Sequence, residues 1–333
     1  MREALLSGRT ILVPDNVTFA FNPMRVKIDD AAGVIAISIT DGKQTFTDER
    51  EPIGGKVAFE LSVYARSFFD NTIHDVNAKE LTCTITEGLN EYSFTIYVLW
   101  GAMNFYEQFN RQRKVTWFKN FPFKFNLYVP QGAIVRTRYD KNGYSSATLQ
   151  EGLISINPNE LFNPSEFGVI RMDNYIQPSV WEYTFDETFR GVDKGTHISR
   201  LVVDECTNGV YMRWVDRHGF VQYYLFKTGD DIYQTKAEGQ EMNIDYATWY
   251  DFGNVQVQQR KSMTRSIKAG ASLVDQETFD MLTSIYSSPL VELWYDNEWL
   301  PIRISDATIT KTSKPLQDIE IEILMPKMLT QSL

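Results

Sequence analysis

The chain has little of what most enzymes are built around. Its 333 residues include three histidines (His74, His197 and His218) and two cysteines (Cys83 and Cys206). No histidine has a second His or a Cys at ligand spacing, which argues against a tight zinc site. No GxxxxGK[ST], GxGxxG, HExxH or GxSxG pattern occurs. The chain therefore lacks the signatures of a phosphate-cradling loop, a dinucleotide turn, a zincin helix and a nucleophile elbow. Two cysteines so far apart make no disulfide framework. Both sit in apolar-rich runs, LTCTI and VVDEC, and are expected to be buried reduced thiols.

Long apolar runs are also missing. The most apolar stretch, Phe94 to Tyr106, falls well short of the roughly 18–20 residues that a spanning helix needs. The opening MREALLSGRTILVPD has neither the apolar length nor the small-residue cleavage site of a signal peptide. Positive charge is in deficit, with Lys plus Arg 33 against Asp plus Glu 43, a net −10. That balance argues against a nucleic-acid backbone or an anionic membrane as the main partner. These absences lead to the expectation of a protein folded in a reducing cytoplasm, with no cofactor, no metal and no membrane insertion.

Aromatics are abundant, at 7 Trp, 17 Tyr and 21 Phe. Such side chains suit a pleated, half-buried surface. Period-two alternation recurs along the chain. In Gly33 to Thr40, Ile35, Ile37 and Ile39 share one face; in Lys56 to Val63, Val57, Phe59 and Leu61 are in phase. Val17 to Asn22, Leu81 to Thr86, Tyr92 to Leu99 and Phe123 to Val129 read as further strands. So do Gly168 to Met172, Val180 to Phe185, Ser199 to Val203, Val210 to Val215 and Val221 to Phe226.

Asn208-Gly209 predicts a hairpin between its flanking strands, and His218-Gly219 a second one. Leu290 to Tyr295, Trp299 to Ile304, Ala307 to Thr310 and Asp318 to Leu324 predict a terminal meander, with Asp296-Asn297 as its first turn. Helical spacing is convincing only at Phe279, Leu282, Ile285 and Tyr286, capped by Asp275 and stopped before Pro289. Ser62 to Asp70 predicts a second, shorter helix.

The predicted fold is thus mostly β: two or three β-sandwich or small-barrel domains with one or two short helices. The expected division is an N-terminal β-sandwich domain over 1–130 and a β-rich region over 131–333. That second region contains the helix near 275–286 and a weaker boundary near 230.

Acids beside aromatics are what a sugar-binding groove or a glycosidase needs. Asp186-Glu187 lie in WEYTFDETF, and Glu292, Asp296 and Glu298 in VELWYDNEWLP. The plainer reading is solvated turn acids beside rings that fill the sheets. Asp29-Asp30 and Asp230-Asp231 do not follow calcium-loop spacing. Trp249, Tyr250, Trp294 and Trp299 are the candidate exposed aromatics, for glycan contact or for a protein interface, where such rings are enriched. No residue is assigned a catalytic role.

The order of features resembles that of virion structural proteins in phages and prophages of gut Bacteroidetes. The likeness runs through Phe21-Asn22-Pro23, GKVAFELSVYARSFFD (Gly55 to Asp70), Leu99-Trp100-Gly101-Ala102, TWFKNFPFKFNLYVP (Thr116 to Pro130) and EWLPIRISD (Glu298 to Asp306). It also includes a W-x-[ND]-x-x-G-x-x-x-Y-x-F hairpin, here Trp214, Asp216, Gly219, Tyr223 and, one place late, Phe226. His218-Gly219 departs from the double glycine of that pattern.

The resemblance implies a non-enzymatic tail or baseplate subunit, similar in role to distal tail proteins. Such a subunit would be assembled in the bacterial host cytoplasm into a ring with itself and other virion proteins. A carbohydrate- or receptor-binding module, and after it a glycosidase, are the alternatives.

Overall fold

Where the sequence alternates, the backbone is extended, and the phase of the alternation sets which side chains are buried. The computed structural model describes residues 1–102, 112–129, 134–138, 144–148, 152–157, 180–189, 192–244, 255–325 and 331–332. The first strands are β1 (Arg2–Leu6), β2 (Arg9–Val13), β3 (Val17–Phe19), β4 (Arg25–Ile28), β5 (Ile35–Thr40), β6 (Thr45–Arg50) and β7 (Val57–Glu60). Helix α1 (Ser62–Ser67) follows, then β8 (Ala78–Glu87), β9 (Asn90–Leu99), β10 (Gln112–Phe118), β11 (Phe125–Val129) and β12 (Ile134–Arg138). Next come β13 (Tyr144–Thr148), β14 (Gly152–Ile156), β15 (Val180–Phe189), β16 (Val192–Asp204), β17 (Val210–Val215), β18 (Val221–Ile244) and β19 (Val255–Asp275). The chain closes with α2 (Gln276–Thr283), β20 (Val291–Tyr295), β21 (Glu298–Pro301), β22 (Arg303–Ile304), β23 (Leu316–Leu324) and β24 (Gln331–Ser332).

Two compact units result. The first holds Met1–Glu205, Trp214–Tyr223 and Ser287–Leu290; the second holds Cys206–Arg213, Tyr224–Tyr286 and Val291–Leu333. In the first unit, the sheet β1-β2-β4-β7 and the sheet β3-β9-β8-β5-β6 share one core. Ile35, Ile37 and Ile39, the predicted face, are all buried there, with Ile11, Val26 and Phe59 from the other sheet. Each such side chain contributes roughly 1.5–3 kcal/mol through burial. This is a β-sandwich, and no sheet among the described strands closes into a barrel. The same unit carries the sheet β10-β16-β15-β12-β13 and the ribbon β11-β14.

Helix α1 forms as predicted, although its N-cap Leu61 makes no side-chain bond. Glu60 supplies the acceptor instead, taking the N–H groups of Met24 (2.7 Å) and Ser62 (3.4 Å). Burial works to raise the Glu60 carboxyl, but these bonds and that of Arg25 outweigh it and hold it below the usual range.

A second polar element organises the first unit. The turn after β17 wraps around the carboxylate of Asp216, which is 9% exposed. Asp216 accepts the N–H groups of His218 (2.8 Å) and Phe220 (3.0 Å) and the side-chain amide of Gln222 (2.7 Å). The backbone closes the turn with Asp216 N–H to Phe220 O (2.9 Å) and Gly219 N–H to Asp216 O (3.0 Å). Gly219 has φ +82°, a conformation that favours glycine.

This turn packs backbone to backbone on Trp100–Ala102: Ala102 N–H bonds Arg217 O at 2.8 Å, and a Cβ on Gly101 would lie 2.3 Å from that same oxygen. Nearby, the buried Asn126 donates to Asp75 O (2.7 Å) and accepts the Val221 N–H (2.7 Å). The hairpin motif that carried the virion likeness is thus core and turn, with Trp214, Tyr223 and Phe226 all at most 2% exposed.

The second unit holds most of the sheet β21-β20-β17-β18-β19-β23-β22, with β24 pairing β19. Helix α2 is capped as predicted, Asp275 accepting the Thr278 N–H at 2.9 Å, and it buries Phe279 and Leu282. Five expectations need correction or fall outside the description. Asn208-Gly209 joins no hairpin, because β16 pairs with β10 and β15 whereas β17 lies beside β18 and β20. Gly209 is required for a close approach instead: a Cβ there would meet Phe226 O at 2.3 Å. Ala307 to Thr310 is irregular and exposed, and Cys206 is exposed while Cys83 is buried. Gly168 to Met172 and the boundary residues 130–132 lie outside the described residues.

Two outcomes are expected. Gly101→Ala and Asp216→Ala each lower unfolding free energy, the second by about 3 kcal/mol because buried donors are orphaned around a lost charge; chemical denaturation measures both. Burial pushes the Cys83 thiol up to about 12, so at pH 8 iodoacetamide should modify Cys206 and spare Cys83 until the protein unfolds, as read by peptide mass.

Candidate functional site: an aromatic shelf and a long ribbon

Strands β20 and β21 are joined by Asp296-Asn297, both in the left-handed region (φ 50° and 62°), as a two-residue hairpin turn of matching twist requires. The turn sets the register, which places Trp294 directly opposite Trp299. Their ring centroids are 5.0 Å apart and both rings are half-buried. Two of the four predicted aromatics are therefore brought together; Trp249 and Tyr250 lie outside the described residues.

Alternation also delivers Arg213 and Tyr211 from β17, the neighbour of β20. The Arg213 guanidinium sits over the Trp299 ring at 4.4 Å and donates to Glu292 at 2.6 Å. Tyr211, at 5.7 Å from Trp299, backs the group from the core. Neither Tyr211 nor Arg213 stood out in the sequence, where they are ordinary members of an alternating strand; only their shared parity pointed at one face.

The chemistry of this shelf is stacking and ion pairing. Glu292 is 8% exposed and its charge is answered by Arg213. Asp296 and Glu298 are exposed on the turn and the edge strand. Asp186 and Glu187 lie in β15, in register with Thr196 and Gly195. Among the described residues no group of three or more His, Cys, Asp or Glu is placed to hold a metal ion. Asp231 of the second aspartate pair is engaged by Arg265 at 2.9 Å. Trp, Tyr and Arg together, beside the exposed Tyr295 and Leu300, are the residue types that anchor protein interfaces.

The second feature is the ribbon of β18 and β19. It pairs continuously from Lys227↔Gly270 to Ile244↔Val255, interrupted by irregularities at Thr228/Asp231 and Glu238/Glu241. From Lys227 to Glu241 nearly every β18 side chain is exposed. Polar ties across the strands hold it: Arg265 with Asp231 and over the Tyr233 ring at 5.8 Å, and Ser262 to Glu238 at 2.7 Å. On its other side, β18 beyond Phe226 meets no strand among the described residues. Charge is segregated along it. β18 beyond Phe226 carries Asp230, Asp231, Glu238 and Glu241 against Lys227 and Lys236; β19 up to Lys268 carries Arg260, Lys261, Arg265 and Lys268 with no acid.

Arg213→Ala is expected to destabilise the second unit by about 3–5 kcal/mol, because it leaves the Glu292 charge buried without a partner; the double variant with Glu292→Leu should recover much of the loss. Chemical denaturation followed by circular dichroism measures both variants.

No protein-family model matches the chain, and no curated protein does. Among solved structures, a chain described as "Structural insight into host cell surface retention of a 1.5-MDa bacterial ice-binding adhesin" aligns at 9% identity and TM-score 0.16, over 77% of this chain and 91% of that one. A titin I-band fragment, I67-I69, aligns at 7% identity and TM-score 0.17, over 80% and 94%. At such TM-scores the alignments carry neither a fold assignment nor a function.

Proposed function

We propose that this chain is a non-enzymatic structural subunit of a phage particle, a tail or baseplate component that assembles with copies of itself into a ring. The observation that supports this most is the β18–β19 ribbon. β23 and β24 join the ribbon along part of β19, but beyond Phe226 the outer edge of β18 is covered by no described strand, and such an edge is a template for another strand. Its acidic strand and basic strand make the ribbon complementary to itself head to tail. That is the heterologous type of contact from which rings close. The aromatic shelf beside edge strand β21 adds the anchors that such interfaces use. The virion assignment itself rests on the resemblance of the feature order, the assembly on the ribbon.

The purified protein is expected to form oligomers in light scattering and closed rings in electron microscopy. Arg260→Glu with Lys261→Glu should weaken assembly at least tenfold at low salt while far-UV circular dichroism is unchanged. Mixing that variant with Asp230→Lys plus Glu241→Lys should restore it, since each then offers the other side chains of complementary charge. A monomer at every concentration, or absence of the chain from the intact particle, overturns the proposal.

A further inference from the structure

We infer that the first unit carries a receptor groove for an extended peptide, recognised by strand addition. An open groove of about 1150 Å³ lies between β9 and β14, somewhat above the roughly 300–1,000 Å³ of ordinary small-molecule clefts. Its walls include four consecutive residues from each strand, Tyr92–Thr95 and Gly152–Ser155. Successive strand residues point to opposite faces, so a run of four lining one groove means that the strand edge itself borders it.

Hydrogen bonds fix which backbone groups look out. On β9, Tyr97 N–H bonds Asn16 O (2.7 Å), Leu99 O accepts from Ala20 N–H (2.8 Å) and Thr95 O accepts from Arg2 (3.3 Å). All three are odd positions, so Ser93 and Thr95 also present their N–H groups away from β8. Strand β3 covers this edge only at Val17–Phe19, opposite Tyr97–Leu99, and among the described residues no strand covers it at Ser93 and Thr95. On β14, Leu153 N–H reaches the Tyr97 hydroxyl (3.0 Å), so Leu153 and Ser155 face away from β11. Ser155 Oγ is buried with no hydrogen-bond partner, a polar atom on the groove wall that an incoming donor could satisfy.

The side chains narrow the ligand further. Both cations on the walls are engaged, Arg2 by the Pro14 and Thr95 carbonyls and Lys124 by Asp75, so nothing is left to hold an anion. Glu80 makes no ion pair among the described residues, and its carboxylate complements a basic side chain. The rings on the walls are engaged: Tyr92 stacks on Phe94 (5.9 Å), Arg2 lies over Phe94 (5.7 Å), and Tyr97 and Tyr128 pack against the buried cluster of Leu99, Leu153 and Phe220. An extended peptide with a Lys or Arg opposite Glu80 uses what remains, backbone donors and acceptors on both walls and one carboxylate.

The probe is the acetylated, amidated heptapeptide TVTKTVT, with norleucine and glutamate versions at its lysine. On the full chain, the lysine peptide is expected to slow amide hydrogen exchange at least tenfold at 91–95 and 152–156, and to bind more tightly than the norleucine version. Glu80→Gln should abolish that preference and keep the exchange protection. Thr95→Pro removes a donor that no described strand uses and should cost at least tenfold in affinity with Tm unchanged; alternate N-methylation of the peptide should do the same without altering the protein. Absence of protection by every version overturns the inference. So does protection of the groove by cellohexaose or mannohexaose in place of the peptides, or binding that N-methylation leaves intact.

Discussion

A carboxylate taken out of water keeps its charge only if hydrogen-bond donors replace the solvent, and at Asp216 three donors converge to do so. The rest of the first unit leans on that arrangement. Holding the turn in this one shape lets Arg217 and Gly219 approach Trp100–Ala102 so closely that only glycine fits at 101. It also orders the entry to β18, where Val221 N–H meets the buried amide of Asn126. Asn126 in turn ties β11 to Asp75, and β11 carries the β14 wall of the groove. A half-satisfied version of this network would be worse than an apolar one, because each orphaned donor costs its full desolvation.

The second unit uses its polar groups in the opposite way. There the long ribbon is held by exposed ion pairs and amide contacts, each worth little in water. Its two strands differ in charge, and only part of that difference is spent within the fold, on Arg265 with Asp231 and Lys268 with Glu320. Within the chain, β23 and β24 support it by pairing with β19. The shelf near β21 is also unlike a reactive centre, since its one buried carboxylate is neutralised by a guanidinium stacked on a ring.

How much of this was legible in the sequence follows from the range of each effect. The Ile35, Ile37, Ile39 face and the Val57, Phe59 phase were readable because alternation is local. The α2 cap was readable because Asp275 and Thr278 are three residues apart. Asp296-Asn297 announced its turn because few other residues accept two left-handed positions in succession. Asn208-Gly209 misled for the same local reason: the dipeptide suits a tight turn, but the partners of β16 and β17 lie elsewhere and the glycine serves a close contact with Phe226. The exposure of Cys206 was hidden because an apolar run predicts a strand, not which of its ends emerges into solvent.

The sequence by itself determined the mostly β class, the helix positions and the poverty of catalytic signatures, since each depends on residue type and short-range spacing. Tertiary structure alone decided that Arg213 answers Glu292 and covers Trp299, that Gly101 abuts Arg217, and that β9 and β14 border one groove. Those pairs stand between tens and over a hundred residues apart along the chain in most cases, and no local rule ranks one distant partner above another. Only the closing of the sheets, with burial rewarding some pairings and steric overlap forbidding others, selects among them.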